Sequence, residues 1–280
     1  MAKIAVIGIA GMSVFMRVDH FHAEGETLHA DSLLTEIGGK GINQAVAAAR
    51  MGAEVCFLAA VGDDAAAAEC AATAEQDSIC AHWAVKKGKK TPFAYILTDK
   101  KGANRVTVYQ DAHLSPADVD GFAERIASAD ILLLQNEVPE QVNARAIAIA
   151  RSHGVRVIYN PAPPRRISEA LARDIFLVTP NEQEAQALPP FAFAHCITTL
   201  GGEGCDVDGE VRIPATSARA VDTTGAGDTF NGVLAAAIAE GATLADAARL
   251  ATCAAGISVT RRGVLTAIPY RNELLEGEKE

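Results

Sequence analysis

The stretch Gly38–Asp64, "GGKGINQAVAAARMGAEVCFLAAVGDD", holds in a single run the alternation that decides the fold. Glycines 38, 39 and 41 open it; "INQAVAAARMG" then spaces its apolar residues as a helix does, and after the turn at Gly52 the segment "AEVCFLAAV" is an apolar run of strand length. A helix that turns at glycine into a strand apolar on both faces is half of a βαβ unit, because only a parallel sheet covered on both sides buries such a strand.

Working outward, the pattern repeats. Apolar runs recur at "KIAVIGI", "ADILLLQ", "VRVIYN", "DIFLVTP" and "HCITTLG", with helical periodicity between most of them, as in "QVNARAIAIARSHG". The expectation is an α/β fold, a doubly wound, mostly parallel central sheet flanked by helices. Residues 15–35 and 92–110 break the rhythm and read as short alternating strands, the second pair a hairpin around "DKKGAN". They predict a small antiparallel β lid. The last third predicts two consecutive helices joined at "EGAT". No repeat and no linker divides residues 1–280, so one domain is expected.

Composition narrows the partners. The chain has 280 residues, 49% of them hydrophobic, and a formal charge of −10 with no lysine or arginine run, which argues against nucleic acid. No apolar stretch approaches the roughly 20 residues that span a bilayer, and the short, glycine-broken run at the N-terminus reads as a first strand rather than a signal peptide. The six cysteines stand singly, without a CxxC pair, and read as reduced thiols of a cytoplasmic protein. On an acidic chain an anionic substrate must be held by a local device, backbone amides or a bound cation.

In a doubly wound sheet ligands bind beyond the carboxyl ends of the strands. Glu137, Asn160, Asn181, Glu184 and the run Thr199, Leu200, Gly201, Gly202, Glu203, Gly204 all follow apolar runs. "GGKGIN" exposes backbone at a helix start. In "DTTGAGDTF", Asp222–Phe230, the residues Gly225, Ala226 and Gly227 allow peptide N–H groups to converge at the positive end of a helix, a site for phosphate. Asp228 would stand at the helix entry as a proton acceptor, or simply as a helix cap. There is no GxxxxGK[ST] loop, and "GIAGMS" lacks the spacing of the dinucleotide fingerprint.

Together, "GGKGINQAVAAARMGAEVCFLAAVGDD", "NPAP", "TPNEQEA", "TLGGEG", "AVDTTGAGDTFNG" and "VTRRG" resemble the ribokinase family, also called the phosphofructokinase B family of carbohydrate kinases, from the first strand to the last helices. The resemblance implies ATP-dependent transfer to the primary hydroxyl of a pentose-like sugar or related polyol. It makes Asp228 the base and Gly225, Ala226 and Gly227 the anion hole. It puts Gly11, Ser13, Gly39, Lys40, Gly41, Asn43 and Glu137 on the sugar side, and Asn181 and Glu184 near the ATP phosphates and a magnesium ion. The loop from Thr199 to Gly204, with Thr252, receives the nucleotide. A potassium ion is implied beside the hole, held by Asp222 and by carbonyls of Thr224, Ser258, Arg261, Gly263 and Ala267. A homodimer through paired lids is implied as well.

One departure stands out. Where ribokinase carries an Asn-x-Asp pair for the sugar's secondary hydroxyls, this chain has Gly11 and Ser13, which predicts weaker ribose binding. A nucleoside kinase of the same family, or a catalytically silent sugar or nucleotide sensor, are the alternative readings.

Overall fold

In the computed structural model, which describes residues 1–189 and 193–276, the apolar runs pair into one twisted sheet. In chain order the strands are β1 (Lys3–Ile7), β2 (Gly11–Arg17), β3 (Ser32–Gly38), β4 (Glu54–Val61), β5 (Cys80–Val85), β6 (Phe93–Thr98), β7 (Asn104–Tyr109), β8 (Ile131–Gln135), β9 (Arg156–Asn160), β10 (Leu177–Val178), β11 (His195–Thr199), β12 (Cys205–Val207) and β13 (Val211–Ile213). The helices are α1 (Lys40–Arg50), α2 (Ala65–Gln76), α3 (Pro116–Asp120), α4 (Ala123–Ala127), α5 (Glu140–Ser152), α6 (Glu169–Ala172), α7 (Glu182–Ala187), α8 (Ala226–Ala239), α9 (Leu244–Ser258) and α10 (Arg271–Glu276).

The large sheet has the order β13-β12-β11-β10-β9-β8-β1-β4-β5. From β5 to β11 neighbouring strands run parallel, and β12 and β13 close one edge as antiparallel ribbons. The chain winds outward in both directions from β1 and β8, so the crevice of the doubly wound sheet opens at their carboxyl ends. The strands bury alternate residues into two apolar layers, Val6, Phe57 and Leu133 on the side of α1 and α8, and Ile7, Leu58 and Leu134 on the side of α5.

Packing of α1 against α8 matters most for the site. Both helices are rich in alanine and buried on nearly every side. At Gly232 a Cβ would stand 2.4 Å from the Gln44 carbonyl oxygen and 2.5 Å from the Ala47 Cβ, so no side chain fits at that crossing. The close approach brings Asn43 and Gln44 of α1 beside the first turn of α8.

The second sheet has the order β3-β2-β6-β7. It consists of two antiparallel hairpins, as the alternating segments predict, but the hairpins join through a parallel pair, β2 with β6. The strand expected from residue 15 starts at Gly11, and residues 18–31 carry no strand. Gly11, Met12 and Ser13 ahead of the apolar "VFM" conceal that start. The strands β5, β12 and β13 are not legible as apolar runs either, since each is half-exposed or very short. Among the described residues no helix is long and apolar enough to cross a membrane.

Candidate active site

Asp228 lies at the third position of α8, buried to 5% exposure. Its carboxylate does not cap the helix. Gly225 is the capping residue, without a side-chain bond, and Asp228 turns instead toward α1. Asn43 Nδ2 donates to Oδ2 at 2.9 Å and Gln44 Nε2 donates to Oδ1 at 3.0 Å. Lys40 Nζ stands 3.9 Å from Oδ1. Leaving one such buried donor unpaired costs about 1–3 kcal/mol, so the amides are locked with their N–H groups on the carboxylate. Each carboxylate oxygen keeps a further lone pair for a substrate hydroxyl.

Behind this pair runs a chain of buried amides. Gln135 Nε2 donates to Gln44 Oε1 at 2.8 Å, Gln44 Nε2 also reaches Asn160 Oδ1 at 3.2 Å, and Asn160 Nδ2 donates to the Thr179 carbonyl at 2.9 Å. Thr179 Oγ1 donates to Asn231 Oδ1 at 2.5 Å, and Asn231 Nδ2 to the Gly227 carbonyl at 2.8 Å. The ends of β8 and β9 and the residue after β10 are thereby bonded to α1 and to the head of α8. Asn160 stood out in the sequence by its place after a strand. Gln44, Gln135 and Asn231 did not, because nothing local marks a glutamine or asparagine that bonds across the fold.

Lys40 and Glu137 form the neighbouring part of the crevice. The Lys40 N–H donates to Glu137 Oε2 at 2.8 Å. The negative charge of Asp228 holds the Lys40 ammonium above the ordinary lysine range. Burial pushes the Glu137 carboxyl up to about 7, with the nearby Lys40 charge working against the shift. Among the described residues Asn43 Oδ1 is buried without a hydrogen-bond partner and remains an acceptor beside the same space.

Gly11 and Ser13 sit on β2 at the root of the second sheet. A Cβ at Gly11 would stand 2.1 Å from the Pro92 carbonyl oxygen, and Met12 N–H donates to that oxygen at 2.9 Å. Glycine is therefore required there by packing, and the position offers no side chain to a ligand. Ser13 is buried, with its Oγ 2.5 Å from where a Cβ on Gly38 would be, so its hydroxyl stands over the "GGKGIN" turn that contains Gly39, Lys40 and Gly41.

Gly225 adopts φ +76°, the left-handed conformation that a side chain disfavours, and this turns the chain into α8. The N–H of Ala226 is engaged with the Thr223 carbonyl at 3.3 Å. Among the described residues no backbone acceptor takes the N–H groups of Gly225, Gly227 and Asp228. Those three are the donors left at the positive end of the helix.

Asp222 has another setting. Its Oδ1 accepts the N–H of Thr224 at 3.0 Å and the Thr224 hydroxyl at 2.7 Å, and its Oδ2 faces the N–H of Gly263 at 3.4 Å. Of the expected cation ligands, Thr224 and Gly263 are thus brought to Asp222. The Ser258 carbonyl accepts the Arg261 N–H at 3.1 Å, the Arg261 side chain pairs with Glu273, and Ala267 is buried with its N–H on the Val264 carbonyl at 3.1 Å. Among the described residues no group of three His, Cys, Asp or Glu side chains is placed to hold a metal ion.

Asn181 and Glu184 form a capping box on α7. Glu184 N–H donates to Asn181 Oδ1 at 2.7 Å, and Asn181 N–H donates to Glu184 Oε2 at 2.9 Å. Glu184 is buried, unlike an ordinary surface-helix glutamate, and its charge reaches Lys40. Its Oε1 has no protein partner among the described residues, and a carboxylate oxygen of this kind fits a largely hydrated magnesium ion.

Next to the head of α8 opens a cavity of about 510 Å³, lined by Thr199, Gly201, Gly202 and Gly204, by residues 215–218, and by Ala226, Gly227 and Thr252, among others. Leu200 and Glu203 do not line it. The Leu200 N–H closes the loop on the Gly204 carbonyl at 2.8 Å, and Glu203 points outward to Arg212 at 2.6 Å. The wall at 215–218 was not legible in the sequence, since small residues in an irregular segment carry no signal.

The family model for pfkB carbohydrate kinases matches residues 1–271. Ribokinase of Haemophilus influenzae is 35% identical over 297 residues, which cover 98% of this chain and 97% of that protein. Deoxyribokinase of Salmonella typhi is 33% identical over 293 residues, 95% of each chain. Among solved structures, Arabidopsis thaliana ribokinase complexed with ribose and ATP superposes with a TM-score of 0.85 at 28% identity, covering 100% of both chains.

Proposed function

Since the chain belongs to the pfkB family of carbohydrate kinases, we propose that it transfers the γ-phosphoryl group of ATP to the primary hydroxyl of a pentose, with Asp228 as base. One observation carries the reading: a buried carboxylate, oriented by donors from another helix, stands at the same helix head as the free N–H groups of Gly225 and Gly227, and that head lines a cavity large enough for a nucleotide.

The sugar lies over Lys40, Asn43 and Glu137, which supply donors and acceptors to its hydroxyls. Asp228 takes the proton of the primary hydroxyl, the freed oxygen forms the new bond to the γ-phosphorus, and ADP departs with the electrons of the broken P–O bond. Charge gathering on the transferring oxygens is met by the N–H groups at the head of α8 and by the helix dipole. Glu184, through water, would hold a magnesium ion, which would neutralise charge on the nucleotide. In the same reading Asp222, with backbone carbonyls of its loop, would hold a potassium ion, which would supply positive charge beside the N–H groups that meet the phosphate.

The relatives include ribokinases and a deoxyribokinase, and Ser13 offers no carboxylate to secondary hydroxyls. We therefore place 2-deoxypentoses beside ribose as acceptors, with the preference for ribose weakened. The test is an ADP-release screen across pentoses, deoxypentoses, hexoses and nucleosides, run with and without potassium. Turnover of a free pentose is expected; turnover of nucleosides alone shifts the assignment to a nucleoside kinase, and no ADP with any acceptor refutes the kinase reading.

A further inference from the structure

Glu36 lies on β3, just ahead of the "GGKGIN" turn, and its side chain leaves the second sheet for a segment far away in the chain. Val264 N–H donates to Glu36 Oε1 at 2.6 Å, and the N–H groups of Leu265 and Thr266 also face the carboxylate. Among the described residues Oε2 is buried without a hydrogen-bond partner. Burial raises the carboxyl above its ordinary range, and the three backbone N–H groups oppose that shift.

The gripped turn is the support of the phosphate loop. A Cβ at Gly225 would stand 2.4 Å from Val264 Cγ1, so Val264 packs directly on the backbone that turns into α8. Gly263, the residue before Val264, also faces Asp222. A continuous set of contacts therefore runs from the lid strand through Glu36 and Val264 to Gly225. Hydrogen bonding alone does not call for a charged group here, since an amide oxygen would accept the same N–H without leaving a buried carboxylate oxygen unpaired.

We propose that Glu36 is a positioning residue that couples the seating of the lid sheet to the geometry of the phosphate loop. When the root of the lid moves, the carboxylate moves the 263–266 turn, and Val264 sets where Gly225 and the N–H groups after it point. The donors at the head of α8 then reach their working positions only with the lid seated, which limits transfer of phosphate to water. The inference rests on the kinase reading for its catalytic consequence, and not for the mechanical link itself.

The experiment compares wild type, Glu36→Ala and Glu36→Gln. With the acceptor found in the screen, Glu36→Ala is expected to lose about tenfold or more in kcat, as sub-ångström misplacement of donors does, with the KM for ATP and the melting temperature little changed. Glu36→Gln, whose amide oxygen still accepts the Val264 N–H, is expected to recover most of that loss. Hydrogen exchange supplies a readout independent of turnover. ADP binding should slow exchange at 225–228 in wild type and Glu36→Gln, and much less in Glu36→Ala, while exchange in the core strand β1 stays unchanged.

Wild-type kcat in Glu36→Ala, equal protection of 225–228 in all three proteins, or a loss confined to the KM for sugar would overturn the coupling. So would a loss of activity that tracks a drop in melting temperature and is not recovered by glutamine. If no sugar is turned over, the kinase reading falls, and the exchange experiment with ADP still decides the link.

Discussion

Asp222 and Asp228 bracket the same loop, yet the fold gives them opposite surroundings. Asp228 is buried and receives its donors from another helix, Asn43 and Gln44 of α1. Asp222 is half-buried and bonds mainly to its own turn, through the N–H and hydroxyl of Thr224. A carboxylate aimed by distant, buried amides is preorganised toward a reacting group. One that closes its own turn shapes backbone. The roles proposed for them, proton transfer for one and loop geometry for the other, rest on this difference in partners rather than on residue type.

The comparison can be broken most directly at Asp228. Asp228→Asn is expected to lower kcat about a thousandfold, within the range for loss of a general base, while calorimetry shows ATP binding close to wild type. An equal loss in Asp222→Asn would erase the distinction.

Glu137 sharpens the comparison on the sugar side. Its carboxylate form accepts the Lys40 N–H and carries a pKa of about 7 in the folded protein against 4.5 as a free group. The kcat/KM for sugar is expected to rise as pH increases through about 7, and Glu137→Gln to flatten that limb. Stability runs the other way. Between pH 4.5 and about 7 the folded state holds a proton that the unfolded state has released, so stability present below 4.5 is lost as pH rises through about 7. Melting curves of Glu137→Gln across the same window should lack that decline.

The smallest effect is expected at the other aspartate. Asp222→Asn should lower kcat only about fivefold to tenfold in potassium, consistent with the loss of one charge-assisted bond and of a cation ligand. It should also remove the difference between assays in potassium and in tetramethylammonium. A potassium response that survives the substitution would detach Asp222 from the cation.

Much of this site is legible in the chain because its signals are local. "DTTGAGDTF" shows a glycine turn at a helix head, and "TPNEQEA" shows Asn181 and Glu184 at the spacing that becomes a capping box. Lys40 and Asn43 follow from the glycine turn that starts α1. Glu36 is the instructive failure. In "SLLTEIG" it reads as one polar residue on a half-exposed strand, and only the packed structure shows that its partner is Val264, at a sequence separation of 228. Gly11 is the converse case: it reads as a lost sugar contact, while the structure shows a glycine demanded by the Pro92 carbonyl.

By itself the sequence determined the order of helices and strands, the turns that end them and the carboxylates that the turns present, since periodicity and glycine placement act over a few residues. The tertiary structure alone decided which groups face those carboxylates. The parallel join of β2 to β6 and the amide chain through Gln135 and Gln44 depend on side chains meeting across the molecule, as does the delivery of Asn43 to Asp228 at a separation of 185 residues. The last of these follows from a shape, the absence of a side chain at Gly232, which lets α1 and α8 approach closely enough for the bond to form.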